Sequence, residues 1–165
     1  MKTILLLAGL LSFSFSTFAE VDLETYGVLQ EYDYACRNVQ VHIDRIERNK
    51  AIEGHVTGLP EEAHKLFKVV FYVKTNRWYI HPYEHNTDQN GDGMSFSYLA
   101  SDGTFSIKSV RREVPSRYLA AVLFPRQHRI INSARRLHPL WGIFGGLTKH
   151  ACNYTVIKGN GDFFL

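Results

Sequence analysis

The sequence predicts a mainly β protein, folded as a single antiparallel β-sandwich with one short helix in its C-terminal part. Short runs of β-branched and aromatic residues recur along the chain, seven or eight in all. Turn-forming residues separate these runs at intervals of about eight to twelve residues, a spacing that is typical of sandwiches. Residues 68–75 carry apolar side chains at both odd and even positions, so this run predicts a central strand buried on both faces.

The first residues have the features of a secretory signal peptide. Lys2 supplies a positive start, residues 4–11 are apolar, and Ala19 ends the segment with another small residue two positions earlier. The alternative is a retained anchor, but the apolar run is short for a bilayer span of about 20 residues. We therefore expect residues 1–19 to be removed and residues 20–165 to form one secreted or periplasmic domain without a further transmembrane segment.

The elements follow from the period of the apolar residues and from the breaks between them. Alternation over residues 39–43 is typical of a half-buried strand, and a helical turn is expected after the break at residues 58–60. Pro82 ends a strand because it donates no ladder hydrogen bond. Further strands are predicted at 51–57, 69–73, 78–81, 94–100, 105–110, 118–124 and 152–157, with an Asp-Gly hairpin turn at 101–104.

The helix is predicted between Pro125 and Pro139. Its four apolar residues fall on one helical stripe, and the two prolines suit its start and the position beyond its end. The stripe consists of Ile130, Ile131, Ala134 and Leu137.

Cys36 and Cys152 are the only cysteines of the chain. An even pair in an exported protein predicts a disulfide, which here would join the beginning of the domain to its end. A redox pair or a thiolate metal site is the alternative, but the chain has no C-x-x-C spacing.

The loop at residues 83–93 is the predicted ligand site, with Tyr83, His85, Asp88 and Asp92 as its contacts. Asp88, Asn90 and Asp92 also match the first half of a calcium loop. Loop position twelve is Leu99 instead of a bidentate glutamate, so we expect at most weak Ca²⁺ binding and no other cofactor. Zinc at His81 and His85 is a weaker alternative, because Pro82 prevents a helix that would align the two imidazoles.

Arginines accumulate between residues 111 and 136, with seven arginines and one acid. They form either a solvated face or a surface for an anionic partner. The helix would then present Arg126, Arg129 and Arg136 to an anionic polymer or lipid of the envelope. No nucleic-acid partner is predicted.

No nucleophile motif of the G-x-S-x-G type is present, and no spacing selects a pair of acids. The sequence therefore predicts no catalytic residue. A small secreted hydrolase with a site around residues 79–92 stays as the alternative.

Residues 69–125 resemble small β-sandwich modules of bacterial exported proteins. The resemblance rests on Trp78-Tyr-Ile-His-Pro82, on the Asp102-Gly103 turn before an aromatic residue, and on Tyr118-Leu-Ala-Ala-Val-Leu-Phe-Pro125. It implies an immunoglobulin-like (Ig-like) sandwich and transfers no catalytic residue. With the signal peptide, it favours an exported, non-enzymatic binding module for an extracellular or envelope ligand or partner.

Overall fold

A computed structural model describes residues 36–82, 95–109, 116–138 and 145–159. The predicted signal peptide and the predicted ligand and calcium residues Tyr83, His85, Asp88, Asn90 and Asp92 lie outside these ranges. Those expectations therefore stay predictions of the sequence.

The described residues form nine strands, one four-residue helix and a 3₁₀ turn. The strands are β1 (Gln40–Glu47), β2 (Ala51–Thr57), β3 (Phe67–Lys74), β4 (Trp78–His81), β5 (Phe96–Tyr98), β6 (Thr104–Lys108), β7 (Tyr118–Pro125), β8 (Ser133–Ala134) and β9 (Asn153–Lys158). The helix α1 (Glu61–His64) occupies the predicted helical turn, and the 3₁₀ turn is Cys36–Asn38. The chain is thus mainly β, as predicted.

One sheet has three antiparallel strands in the order β1-β2-β6. In β2 and β6 the inward side chains are buried and the outward ones partly or fully exposed. Val41 lies opposite Val56, and Ile52 lies opposite Ile107, so the apolar positions of all three strands share one face. This alternation gives the sheet a buried face and a polar face in contact with solvent.

The second sheet is antiparallel and has the order β8-β4-β3-β7-β9, with β5 also paired to β3. β4 and β5 share one edge of β3, because His81 lies opposite Phe71 while Phe96 lies opposite the adjacent Val70. The segment with the predicted ligand loop therefore leaves and rejoins the sheet at neighbouring positions of β3.

The main core lies between the two sheets. Phe67, Val69, Phe71 and Val73 of β3 are fully buried and belong to one apolar cluster with the inward residues of the three-stranded sheet. Phe71 meets Phe105 of the other sheet edge to face, with ring centroids 5.7 Å apart. The buried face of each sheet thus packs against that of the other.

The opposite face of the second sheet is apolar as well. Val70 and Tyr72 of β3 form a second cluster with Trp78 and with residues from beyond β7 and before β9, among them Leu147, which is 2% exposed. All of β3 except its last residue is buried, which confirms the predicted central strand. Residues from the segment after β7 therefore cover this sheet as a third layer.

The predicted helix between Pro125 and Pro139 is wrong. Pro125 ends β7, β8 pairs with β4, and Arg136 forms an isolated bridge with Gly146. Three residues of the apolar stripe, Ile130, Ala134 and Leu137, do pack on the sheet, but from an extended segment. Apolar residues three and four positions apart therefore belong here to an extended segment that covers the sheet. Contact with the sheet outweighs the local preference for a helix.

The predicted disulfide is confirmed, with Cys36 and Cys152 joined across 116 positions of the sequence. The Asn153 side-chain amide donates a hydrogen bond to the Val39 carbonyl, so the first and last described strands are also linked next to the disulfide. Within the described ranges, no helix has the length and apolar character that a membrane span requires.

Candidate functional site

The described neighbours of the predicted loop contribute to the core. His81 is completely buried at the end of β4, and Leu99, at the closing position of the calcium pattern, is 7% exposed in the main core. The Tyr79 hydroxyl donates to the Asn76 side chain at 3.3 Å. These residues position the ends of the loop, and none of them presents a site of its own.

An open groove of about 570 Å³ lies where the three-stranded sheet meets β5, and we name it the β5–β6 groove. This volume is within the usual range for small-molecule sites, about 300–1,000 Å³. Its polar lining comes from two carboxylates and three hydroxyl groups, and Tyr98 supplies an aromatic ring that is 42% exposed. The lining residues are Asp44, Glu53, Gly54, Ser97, Tyr98, Ala100, Thr104, Phe105 and Ser106.

The two carboxylates of the groove are held by basic neighbours on β1 and β2. The Asp44 carboxylate lies 2.7 Å from Nδ1 of His55, and Arg45 contacts Glu53 at 2.7 Å. The register between β1 and β2 shifts between Ile43 and Arg45, so a bulge at Asp44 lets adjacent residues both take part. The two basic side chains therefore position the carboxylates, whose remaining lone pairs can accept hydrogen bonds from a ligand.

Two imidazoles lie beside these acids on the polar face. The rings of His42 and His55, which are opposite each other in the β1–β2 ladder, stack with centroids 4.7 Å apart. Nε2 of His42 also lies 3.2 Å from the Thr57 hydroxyl. The stack fixes the orientation of His55 toward Asp44.

Gly54 forms part of the groove floor. A Cβ atom at this position would lie 2.1 Å from the His42 carbonyl oxygen and 2.5 Å from the Phe105 ring. The absence of a side chain lets the Phe105 ring lie against the β2 backbone. A glycine inside a strand pattern is the sequence signal that marks such a close approach, and our sequence analysis did not use it.

The turn between β5 and β6 supplies one wall of the groove and contains the predicted Asp-Gly step, but it is not the predicted hairpin, because β5 pairs with β3 and β6 pairs with β2. Asp102 accepts hydrogen bonds from the Thr104 amide at 2.9 Å and the Thr104 hydroxyl at 2.7 Å. These bonds, first that from the hydroxyl, lower the pKa of the Asp102 carboxyl. The Thr104 hydroxyl is thereby oriented, and its lone pairs stay open to a donor.

Basic and aromatic side chains collect on the far side of Tyr98. The Arg126 guanidinium lies over the Tyr98 ring at 4.0 Å and donates to the Lys65 carbonyl at 3.3 Å. Arg129 and Arg136, the other arginines predicted to meet an anionic partner, are exposed. Tyr98 therefore lies between the groove and the guanidinium group of Arg126.

A metal centre does not emerge from the described part of the chain, where no three His, Cys, Asp or Glu side chains converge in a ligating arrangement. Comparison with protein-family models, with curated proteins and with solved structures finds no match to this chain.

Proposed function

We propose that the protein is an exported, non-enzymatic binding module that holds an extracellular or envelope ligand in the β5–β6 groove. The observation that carries the proposal is the groove itself, which joins the exposed Tyr98 ring to two carboxylates with basic neighbours and to three serine and threonine hydroxyl groups. The signal-peptide pattern and the disulfide support export.

The lining suits a neutral ligand that is rich in hydroxyl groups, such as the sugar units of a glycan. Asp44 and Glu53 can accept hydrogen bonds, and each already has a basic neighbour, His55 and Arg45 respectively. The Tyr98 ring offers an apolar surface on which the C–H face of a sugar can pack. A cationic ligand would compete with the basic partners that the acids already have.

An Ig-like arrangement of the strands is part of the proposal. In Ig-like sandwiches the first, second and fifth strands share one sheet, and the third, sixth and seventh share the other. In this chain β1, β2 and β6 can take the first set of positions and β3, β7 and β9 the second, while the fourth strand, which joins the first sheet in Ig domains, has no counterpart among the described strands. The β4–β5 edge then lies beside β3, where variable-type domains add a strand.

A glycan array tests the proposed function. Ser106→Trp places a large side chain in the groove, and Lys108→Trp places the same side chain at the next outward position of β6, which does not line the groove. We expect wild type and Lys108→Trp to bind the same glycans, and Ser106→Trp to bind them at least about tenfold more weakly, as a blocked site requires. An array on which wild type binds nothing, or on which both variants bind equally well, would contradict the proposal.

The hydrolase alternative stays a prediction of the sequence, since no observation on the described residues favours it. Contact with an anionic partner through Arg126, Arg129 and Arg136 stays a proposal. These arginines are not presented by a helix, although the sequence predicted one.

A further inference from the structure

Lys68 is a buried lysine at the second position of the apolar strand β3. It lies on β3 opposite Tyr98 of β5 and Phe124 of β7, and the residue is only 6% exposed. Its ammonium group donates to the His128 carbonyl at 2.7 Å and lies 5.2 Å from the centre of the Phe96 ring. A carbonyl and an aromatic face compensate only part of the cost of burying a charge.

The ionisable groups around Lys68 are also basic. Arg126 lies close enough that its charge, after burial itself, lowers the pKa of Lys68. The His128 ring stacks on the Phe124 ring with centroids 4.4 Å apart, and the centroid of the His150 ring lies 5.5 Å from that of His128. Burial first, and then the charges of His150 and Lys68, lower the pKa of His128.

None of these four side chains forms an ion pair with a carboxylate in the described part of the chain, where the ion pairs are confined to β1, β2 and the turn between them. Buried charges in proteins are ordinarily paired. A group of basic side chains around a buried lysine, with no carboxylate paired to it among the described residues, has the charge of an anion site. Arg126 and His150 are exposed, so an anion can reach the cluster from solvent.

We propose that Lys68, Arg126, His128 and His150 form a binding site for a phosphate group. The group would belong either to a free phosphate compound or to a lipid headgroup. The ammonium, the guanidinium and the two imidazoles can donate hydrogen bonds to the several oxygens of a phosphate, and its negative charge favours the charged forms of basic side chains. The site is independent of the proposed glycan groove, although Tyr98 borders both.

Calorimetric titration with inorganic phosphate at constant ionic strength tests the site, and constant ionic strength excludes general screening. Lys68→Met keeps the length of the side chain and removes its charge. Lys74→Met is the matched control, because Lys74 also lies on β3 and over aromatic rings, those of Trp78 and Tyr118 at 5.7 Å. We expect Lys68→Met to bind phosphate about tenfold or more weakly than wild type and Lys74→Met to bind as wild type does.

Histidine NMR signals give a second readout that does not depend on the Lys68 variant. A bound phosphate favours the protonated imidazole, so phosphate should raise the pKa of His128 in wild type. Arg126→Gln should reduce that rise, and a thermal melt reports whether each variant is folded. If Lys68→Met is unfolded, the Arg126→Gln comparison decides.

Vesicles distinguish the two sources of the phosphate. Binding of inorganic phosphate together with sedimentation on phosphatidic acid vesicles, absent on phosphatidylcholine vesicles, would assign a lipid headgroup. Phosphate binding without sedimentation would assign a free phosphate compound. Wild type that shows no saturable phosphate binding and no histidine shift, or Lys68→Met that binds as tightly as wild type, would overturn the site.

Discussion

Gly54 shows how one backbone position shapes the groove. Its missing side chain leaves room for the Phe105 ring below and for the His42 carbonyl beside it. The neighbouring side chains His55 and Glu53 can then point outward while the strand stays close to β1 and β6.

Gly54→Ala should therefore destabilise the protein by about 2–3 kcal/mol or more, the cost of overpacking a rigid site. Equilibrium urea unfolding measures the free energy. Lys108→Ala, an exposed position on the adjacent strand, should change it by less than about 0.5 kcal/mol. Equal stabilities for wild type and Gly54→Ala would show that β2 and Phe105 are not in contact as described.

At the residue scale, the Asp-Gly turn could be predicted from a local pattern, and the disulfide from the presence of only two cysteines in a chain expected to be exported. The group of basic side chains around Lys68 could not be predicted. Lys68 begins the run that predicts the central strand, and its hydrogen-bond partner His128 lies 60 positions further along the chain. The stacking of His42 on His55 depends on the strand register, which alternation alone does not fix.

At the element scale, strand patterns were the reliable part of the prediction. The doubly apolar run of β3 became the central strand because each face meets a different layer. The apolar spacing after Pro125 suited a helix equally well, and only the neighbouring face of the second sheet selects an extended cover. That face includes Val70, Tyr72, Trp78 and Ile80 of β3 and β4, two strands that are distant in sequence from the segment after Pro125.

Leu147→Ala tests this cover. Leu147 is nearly fully buried against the second sheet, so we expect a loss of about 2–5 kcal/mol in the free energy of unfolding. Ile131→Ala is the control in the same layer, since Ile131 is 38% exposed, and it should cost less than about 1 kcal/mol. Chemical denaturation with both variants measures the difference, and similar losses for the two would refute the third layer.

At the scale of the whole molecule, the disulfide closes nearly the entire described chain into one loop. A bridge across 116 positions restricts the unfolded chain strongly, and the chain-entropy model gives about 4–5 kcal/mol. Cys36→Ser with Cys152→Ser should lower the free energy of unfolding by up to this amount.

Mass spectrometry of the protein recovered from a secreting host checks the bridge and the predicted export together. We expect the mass of a chain that begins at Glu20. Neither cysteine should be alkylated before reduction, and both should be alkylated after it. An intact N-terminus would contradict removal of residues 1–19, and two thiols that react without reductant would contradict the disulfide.

The central claim is that ligand contacts lie in the β5–β6 groove. Amide NMR spectra of wild type, recorded with increasing amounts of a glycan that the array identifies, test it most directly. We expect saturable changes in amide chemical shift at residues that line the groove, namely Gly54, Ser97, Tyr98, Thr104 and Ser106. Movement confined to residues 83–93, the loop that the sequence alone favoured, would contradict it.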